Sequence, residues 1–130
     1  MIDAPTLVYL VDEGVRVDPG HQLVAPSSIR SEALELLLKD VRAGKRTERA
    51  ALEAHERMTE IKIRTLGDRV SRRTSWQVAR DHSWETLRDA EYLAITRLQA
   101  DALVTVDPRL AVAAEGMVSV APVDALLTAP

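Results

Sequence analysis

The chain reads as an α/β domain built around a parallel sheet. Three observations lead there. Short apolar runs rich in Val, Ile and Leu alternate with amphipathic stretches of helical period. Turn and cap residues fall between the two kinds of segment. At 130 residues and 46% hydrophobic content, the chain has enough material for one domain with its own core, spanning 1–130. Strands separated by helices favour parallel pairing with right-handed crossovers. Ligands of such sheets gather beyond the carboxyl ends of the strands.

The elements follow in order. Met1-Ile2 reads as the end of a first strand, and Thr6 to Val11 as a short helix. Pro5 lies at the first turn of that helix, where a missing N–H costs little. Asp12 to Gly20 is a loop, and Gln22 to Ala25 a second strand. Pro26-Ser27-Ser28 starts a helix that ends near Gly44, with Leu34, Leu37, Leu38 and Val41 as its apolar stripe. Thr47 caps the next helix, to about Glu60. Ile61 to Leu66 is a third strand closed by Gly67, and Asp68 caps a helix to about His82. Thr86 opens another helix, whose centre Tyr92-Leu93-Ala94-Ile95 is apolar all round and expected to be buried. Ala102 to Val106 is a strand, Pro108 to Ala114 a helix, and Met117 to Val120 a last strand.

Composition narrows the chemistry. Phe is absent and aromatics are 3%, so the core is aliphatic. Without Cys there is no disulfide scaffold, thiolate zinc site or cysteine nucleophile. No apolar run reaches membrane-spanning length, and the N-terminus lacks the pattern of a signal peptide. The expectation is a soluble cytoplasmic protein with no membrane partner. The net charge of −3 is unevenly spread, with basic residues gathered between Lys39 and Arg80.

Four carboxylates stand out: Asp3, Glu32, Asp89 and Asp107. Asp3 and Asp107 follow apolar runs, at expected strand ends. Asp89 opens an apolar helix and Glu32 lies in the first turns of another. Carboxylates gathered this way repel one another and favour a hard divalent cation such as Mg2+ or Mn2+. Such an ion activates water and stabilises charge on a phosphoryl group. Each acid also has a structural reading. Asp107 before Pro108 is N-cap chemistry, Asp3 could cap the first helix, and Asp89 has capping-box spacing from Thr86. On a helical wheel Glu32 opposes the leucine stripe, as a solvated first-turn acid does.

Arg69, Arg72, Arg73 and Arg80 share one face of a helix with Trp76, a pattern that tracks a phosphate backbone and stacks a base. The alternative packs Trp76 beneath arginine stems at the edge of the core. Arg42, Lys45, Arg46 and Arg49 read as a solvated loop. His21, His55 and His82 share no ligand spacing. Gly44-Lys45-Arg46-Thr47 lacks the glycine pattern and strand context of a phosphate loop.

Two segments are more specific in combination. Asp89-Ala90-Glu91-Tyr92-Leu93-Ala94, followed by Leu103-Val104-Thr105-Val106-Asp107, resembles the PIN-domain nucleases, and most of all the VapC-type toxins of bacterial toxin–antitoxin pairs. Ile2-Asp3-Ala4 is similar to the family's first strand and Asp. Val24-Ala25-Pro26 followed by Glu32 is similar to its second strand and helical Glu. The resemblance runs over nearly the whole chain. It implies a three-layer α/β/α sandwich with a parallel central sheet, and a magnesium- or manganese-dependent endoribonuclease. By it, Asp3, Asp89 and Asp107 bind metal, Glu32 completes the catalytic cluster, and Thr105 is the hydroxyl beside the last acid. It implies an RNA substrate, a homodimer and a small antitoxin partner. Two residues after the first Asp such proteins carry Ser or Asn; here Pro5 stands there, and Thr6 is the candidate replacement. The reading from a different class is a PIN-like binding or assembly module with little catalysis.

Overall fold

Six α-helices and four short strands follow the expected order in the computed structural model, which describes residues 1–130. They are α1 (Ala4–Asp12), β1 (Val24–Pro26), α2 (Ile29–Arg42), α3 (Glu48–Glu60), β2 (Arg64–Leu66), α4 (Arg69–Asp81), α5 (Arg88–Gln99), β3 (Leu103–Val104), α6 (Pro108–Ala114) and β4 (Val120–Ala121). A 3-10 turn over Val123–Leu126 closes the chain, an element absent from the sequence reading.

The strands pair in parallel. β1 lies against β2 with Ala25 opposite Thr65, and β3 against β4 with Val104 opposite Ala121. Met1-Ile2 joins the two pairs. The Ile2 amide donates to the Val24 carbonyl at 3.1 Å, and the Val104 amide donates to the Met1 carbonyl at 2.8 Å. Ile2 and Val104 form a parallel bridge. The order across the sheet is thus β2, β1, Met1-Ile2, β3, β4.

The strands are shorter than the expected runs, and two are displaced: β1 continues to Pro26, expected to start a helix, and β4 is Val120–Ala121 rather than Met117 to Val120. β3 stops at Val104 rather than Val106 because side-chain hydroxyls take over the next backbone donors. The Val106 amide donates to Thr6 Oγ1 at 3.0 Å, and the Asp107 amide to Thr105 Oγ1 at 3.0 Å. Local bonds from Thr side chains compete with the ladder in this way, and here they do so where the candidate acids lie.

The core is aliphatic, as expected. Ile2, Leu7, Leu10, Ile29, Leu37, Leu93, Ile95, Leu103 and Leu110 are fully buried, with Met58 filling the space beneath α3. α1, α2 and α3 pack together, while α5 packs on β1 and carries α4. The α5 centre from Tyr92 to Thr96 is buried throughout. α4 meets α5 through small residues, Ser75, Val78 and Ala79 against Ala90.

Three sequence expectations need correction. The buried face of α2 is Ile29, Ala33 and Leu37, while Leu34 and Leu38 are exposed. At 100° per residue this row turns Glu32 to the flank of the buried face rather than opposite it. α5 begins at Arg88 with Leu87 at its N-cap, so Thr86 forms no capping box with Asp89. Of the basic residues read as a solvated loop, Arg42 lies in α2, Arg49 in α3, and Arg46 is largely buried. It donates to Asp12 at 2.9 and 3.1 Å and to Asp40 at 3.1 Å, tying the end of α1 to α2. The caps at Thr47 and Asp68 are as expected. Asp68 accepts from the Ser71 amide at 2.8 Å, which holds its carboxyl below the usual range. No helix is long and apolar enough to cross a membrane.

Candidate functional site

Asp3, Glu32, Asp89 and Asp107 line one cleft of about 180 Å³, although they come from four separate parts of the chain. Asp3 follows the Ile2 bridge and caps α1, Asp107 follows β3 and caps α6, Asp89 lies in the first turn of α5, and Glu32 in the first turn of α2. Ile2 and β3 run parallel, so Asp3 and Asp107 emerge from the same edge of the sheet. The structural reading holds as well: Asp3 accepts from the Thr6 amide at 3.2 Å, and Asp107 from the Arg109 amide at 2.9 Å. The cap and the site are the same carboxylates, each with one oxygen committed to a helix start.

Asp3 forms the floor of the cleft and is only 2% exposed. Its Oδ1 accepts from Thr6 Oγ1 as well as the Thr6 amide, and its Oδ2 accepts from Thr105 Oγ1 at 2.7 Å. Thr6 therefore supplies the orienting hydroxyl that Pro5 lacks. Thr105 in turn accepts from the Asp107 amide, so one hydroxyl fixes both acids. Burial pushes the Asp3 carboxyl above its usual range, and the Thr105 and Thr6 hydrogen bonds oppose that rise. All of these contacts are neutral donors, and no basic side chain pairs with Asp3.

Glu32 is half-buried. Tyr92 donates its hydroxyl to Oε2, and Arg88 approaches Oε1 at 3.4 Å. Burial first, then the hydrogen bond to Glu32, pushes the Tyr92 phenol far up, so it stays a donor. Glu91, one residue before Tyr92, lies close by. Burial and then the charge of Glu32 push its carboxyl up, against a pull from Arg72.

Asp89 and Asp107 form the outer rim. Arg109 spans them: Nη1 donates to Asp89 Oδ2 at 2.6 Å, and Nη2 lies 3.4 Å from Asp89 Oδ1 and 3.5 Å from Asp107 Oδ2. The side chains as placed pair with arginines and hydroxyls, and no three acidic or histidine groups surround a common point.

The sequence reading missed Arg88, Tyr92 and Arg109, whereas Thr6, its candidate replacement for the group that Pro5 lacks, does bond Asp3. Tyr92 was legible, being one helical turn from Asp89 and on the same side of α5. Arg109 was not, because its partner Asp89 is 20 residues away. The arginines of α4 lie where expected: Arg69, Arg72, Arg73 and Arg80 are all exposed. Trp76 is 61% exposed, so it stands among them in solvent and does not pack beneath their stems. The buried face of α4 is made instead of Ser71, Ser75, Val78 and Ala79.

No protein-family profile and no curated protein matches the chain. Among solved structures it is similar to a protein called PAE2754 from Pyrobaculum aerophilum, known from its crystal structure. The TM-score is 0.69 at 22% identity, covering 97% of this chain and 91% of that one. At that identity the likeness concerns the fold, which the two share over nearly their full lengths.

Proposed function

We propose that this chain is a PIN-domain endoribonuclease of the VapC type, a three-layer α/β/α sandwich that hydrolyses RNA with magnesium or manganese. The observation that carries the reading is the gathering of Asp3, Glu32, Asp89 and Asp107 along one cleft at the carboxyl edge of parallel strands. The donor set fits the ion. It is made of oxygen alone, its floor carboxylate has no cationic partner, and Mg2+ and Mn2+ take oxygen ligands. Asp3, Asp89 and Asp107 would hold the ion. When bound, it supplies a Lewis acid for the phosphoryl oxygens and an acidified water as nucleophile.

The chain's own residues do the rest. Thr6 and Thr105 lock Asp3 so that it cannot rotate away from its load. Glu32, oriented by Tyr92, presents a carboxylate to the attacking water and accepts its proton. Arg69, Arg72, Arg73 and Arg80 attract the RNA backbone and Trp76 offers a face for a base. Arg72 acts on Glu91, which neighbours Glu32, so the basic face of α4 continues toward the cleft. The same reading carries a second copy of the chain and a small antitoxin as partners, in the cytoplasm. Exposed Leu34 and Leu38 on α2 and Leu52 on α3 are apolar surface for such contacts.

Millimolar Mn2+ is expected to raise the melting temperature by mass action, about 2–3 kcal/mol at a hundredfold excess over Kd. Asp3→Asn abolishes that rise. A melt indifferent to Mn2+ removes the metal site. One observation favours a second reading, a PIN-like binding module with little catalysis: Arg88 and Arg109 already neutralise acids of the cleft. Mn2+ binding without cleavage of any RNA would select it.

A further inference from the structure

Two arginines of this molecule each fork onto two acids, and they differ in how firmly they are held. Arg46 bonds Asp12 and Asp40 with its side chain 18% exposed. It is packed in place and acts as a staple between helices. Arg109 bonds Asp89 and Asp107 with its side chain 67% exposed. Its stem is anchored at the second residue of α6, where its own amide already satisfies Asp107 Oδ1. Its head can therefore leave the two carboxylates without opening the core or uncapping α6.

The position of that head is informative. It lies between the first turn of α5 and the N-cap of α6, on free oxygens of two acids from different helices. Asp3 is near enough for its charge to act on the same guanidinium. A divalent ion held by these acids would need the same oxygens. Like charges would then face each other at short range, so the ion and the guanidinium exclude one another.

We propose that Arg109 is an internal counter-ion that holds Asp89 and Asp107 in the metal-free protein and competes with the divalent cation for them. Arg109 sets the metal affinity of the cleft and keeps its rim acids together until metal arrives. It is a positioning residue, acting through Asp89 and Asp107. This rests on the metal-site reading above.

The test is Mn2+ affinity, read from the signal of free Mn2+ in electron paramagnetic resonance, for the whole protein and three variants. Arg109→Gln is expected to bind Mn2+ about tenfold more tightly than the native chain, because a competing charge is gone. Arg109→Lys, which keeps the charge but loses the fork, falls between them. Arg49→Gln, a change at an exposed pair on α3, leaves affinity unchanged and controls for net charge. Equal or weaker binding by Arg109→Gln overturns the proposal, since an arginine that merely built the site would lower affinity when removed. Absence of Mn2+ binding in all four proteins overturns the metal reading itself.

Discussion

The floor and the rim of the cleft hold their carboxylates in opposite ways. On the floor, Asp3 is buried and fixed by two threonine hydroxyls and an amide. On the rim, Asp89 and Asp107 are partly exposed and held by a guanidinium. Hydroxyls orient a carboxylate without cancelling its charge, whereas an arginine does both. The floor therefore remains short of positive charge and the rim does not. Glu32 stands between the two, with neutral Tyr92 on one oxygen and Arg88 on the other. A cation that entered the cleft would gain most at the floor and would have to displace Arg109 at the rim.

The largest effect on stability should come from the floor. Thr6→Val removes a buried hydroxyl that donates to Asp3 and accepts from the Val106 amide. Leaving that amide without a partner costs about 2 kcal/mol, measurable by urea denaturation. A loss near zero would mean that the hydroxyl network does not organise the floor.

Asp3→Asn should move stability the other way and by less. Burial raises the Asp3 pKa in the folded state above its ordinary value. Its contribution to stability is thus fully present below the ordinary carboxylate range, and is lost as pH rises through the raised folded value. At neutral pH the ionised group disfavours folding. The metal-free Asn variant should be more stable than the native chain at pH 7, and the difference should shrink as the buffer is taken into mild acid. A variant less stable at pH 7 would mean that the hydroxyl bonds outweigh burial.

The position between floor and rim should respond least. Arg88→Gln breaks a 3.4 Å contact between Glu32 and a side chain that is mostly in solvent. The expected change in unfolding free energy is within about 0.5 kcal/mol. A loss of about 2 kcal/mol there would mean that an exposed arginine holds Glu32 as firmly as the hydroxyls hold Asp3.

Much of this was legible in the sequence. Asp3 and Asp107 could be placed at one sheet edge from strand-then-acid patterning alone, and the structure puts both in the cleft. Pro108 to Ala114 and the caps at Thr47 and Asp68 were legible because each rests on local chemistry. The α2 face was not. Four leucine and valine residues at helical spacing outweighed Ile29 and Ala33, yet the small Ala33 is what lets the helix approach the core. The end of β3 was hidden because it is set in part by Thr6, whose partner Val106 lies 100 residues away. Arg109 was hidden for the same reason: a pairing between helices leaves no periodic trace.

Cleavage of single-stranded RNA in the presence of Mn2+, compared between the native chain and Asp3→Asn, tests the central claim most directly. Cleavage is expected with Mn2+ and not with chelator, and Asp3→Asn should lower it about a hundredfold or more, some 3 kcal/mol of transition-state stabilisation. Asp3→Asn protein that cleaves as fast as the native chain, or cleavage indifferent to chelation, would contradict it.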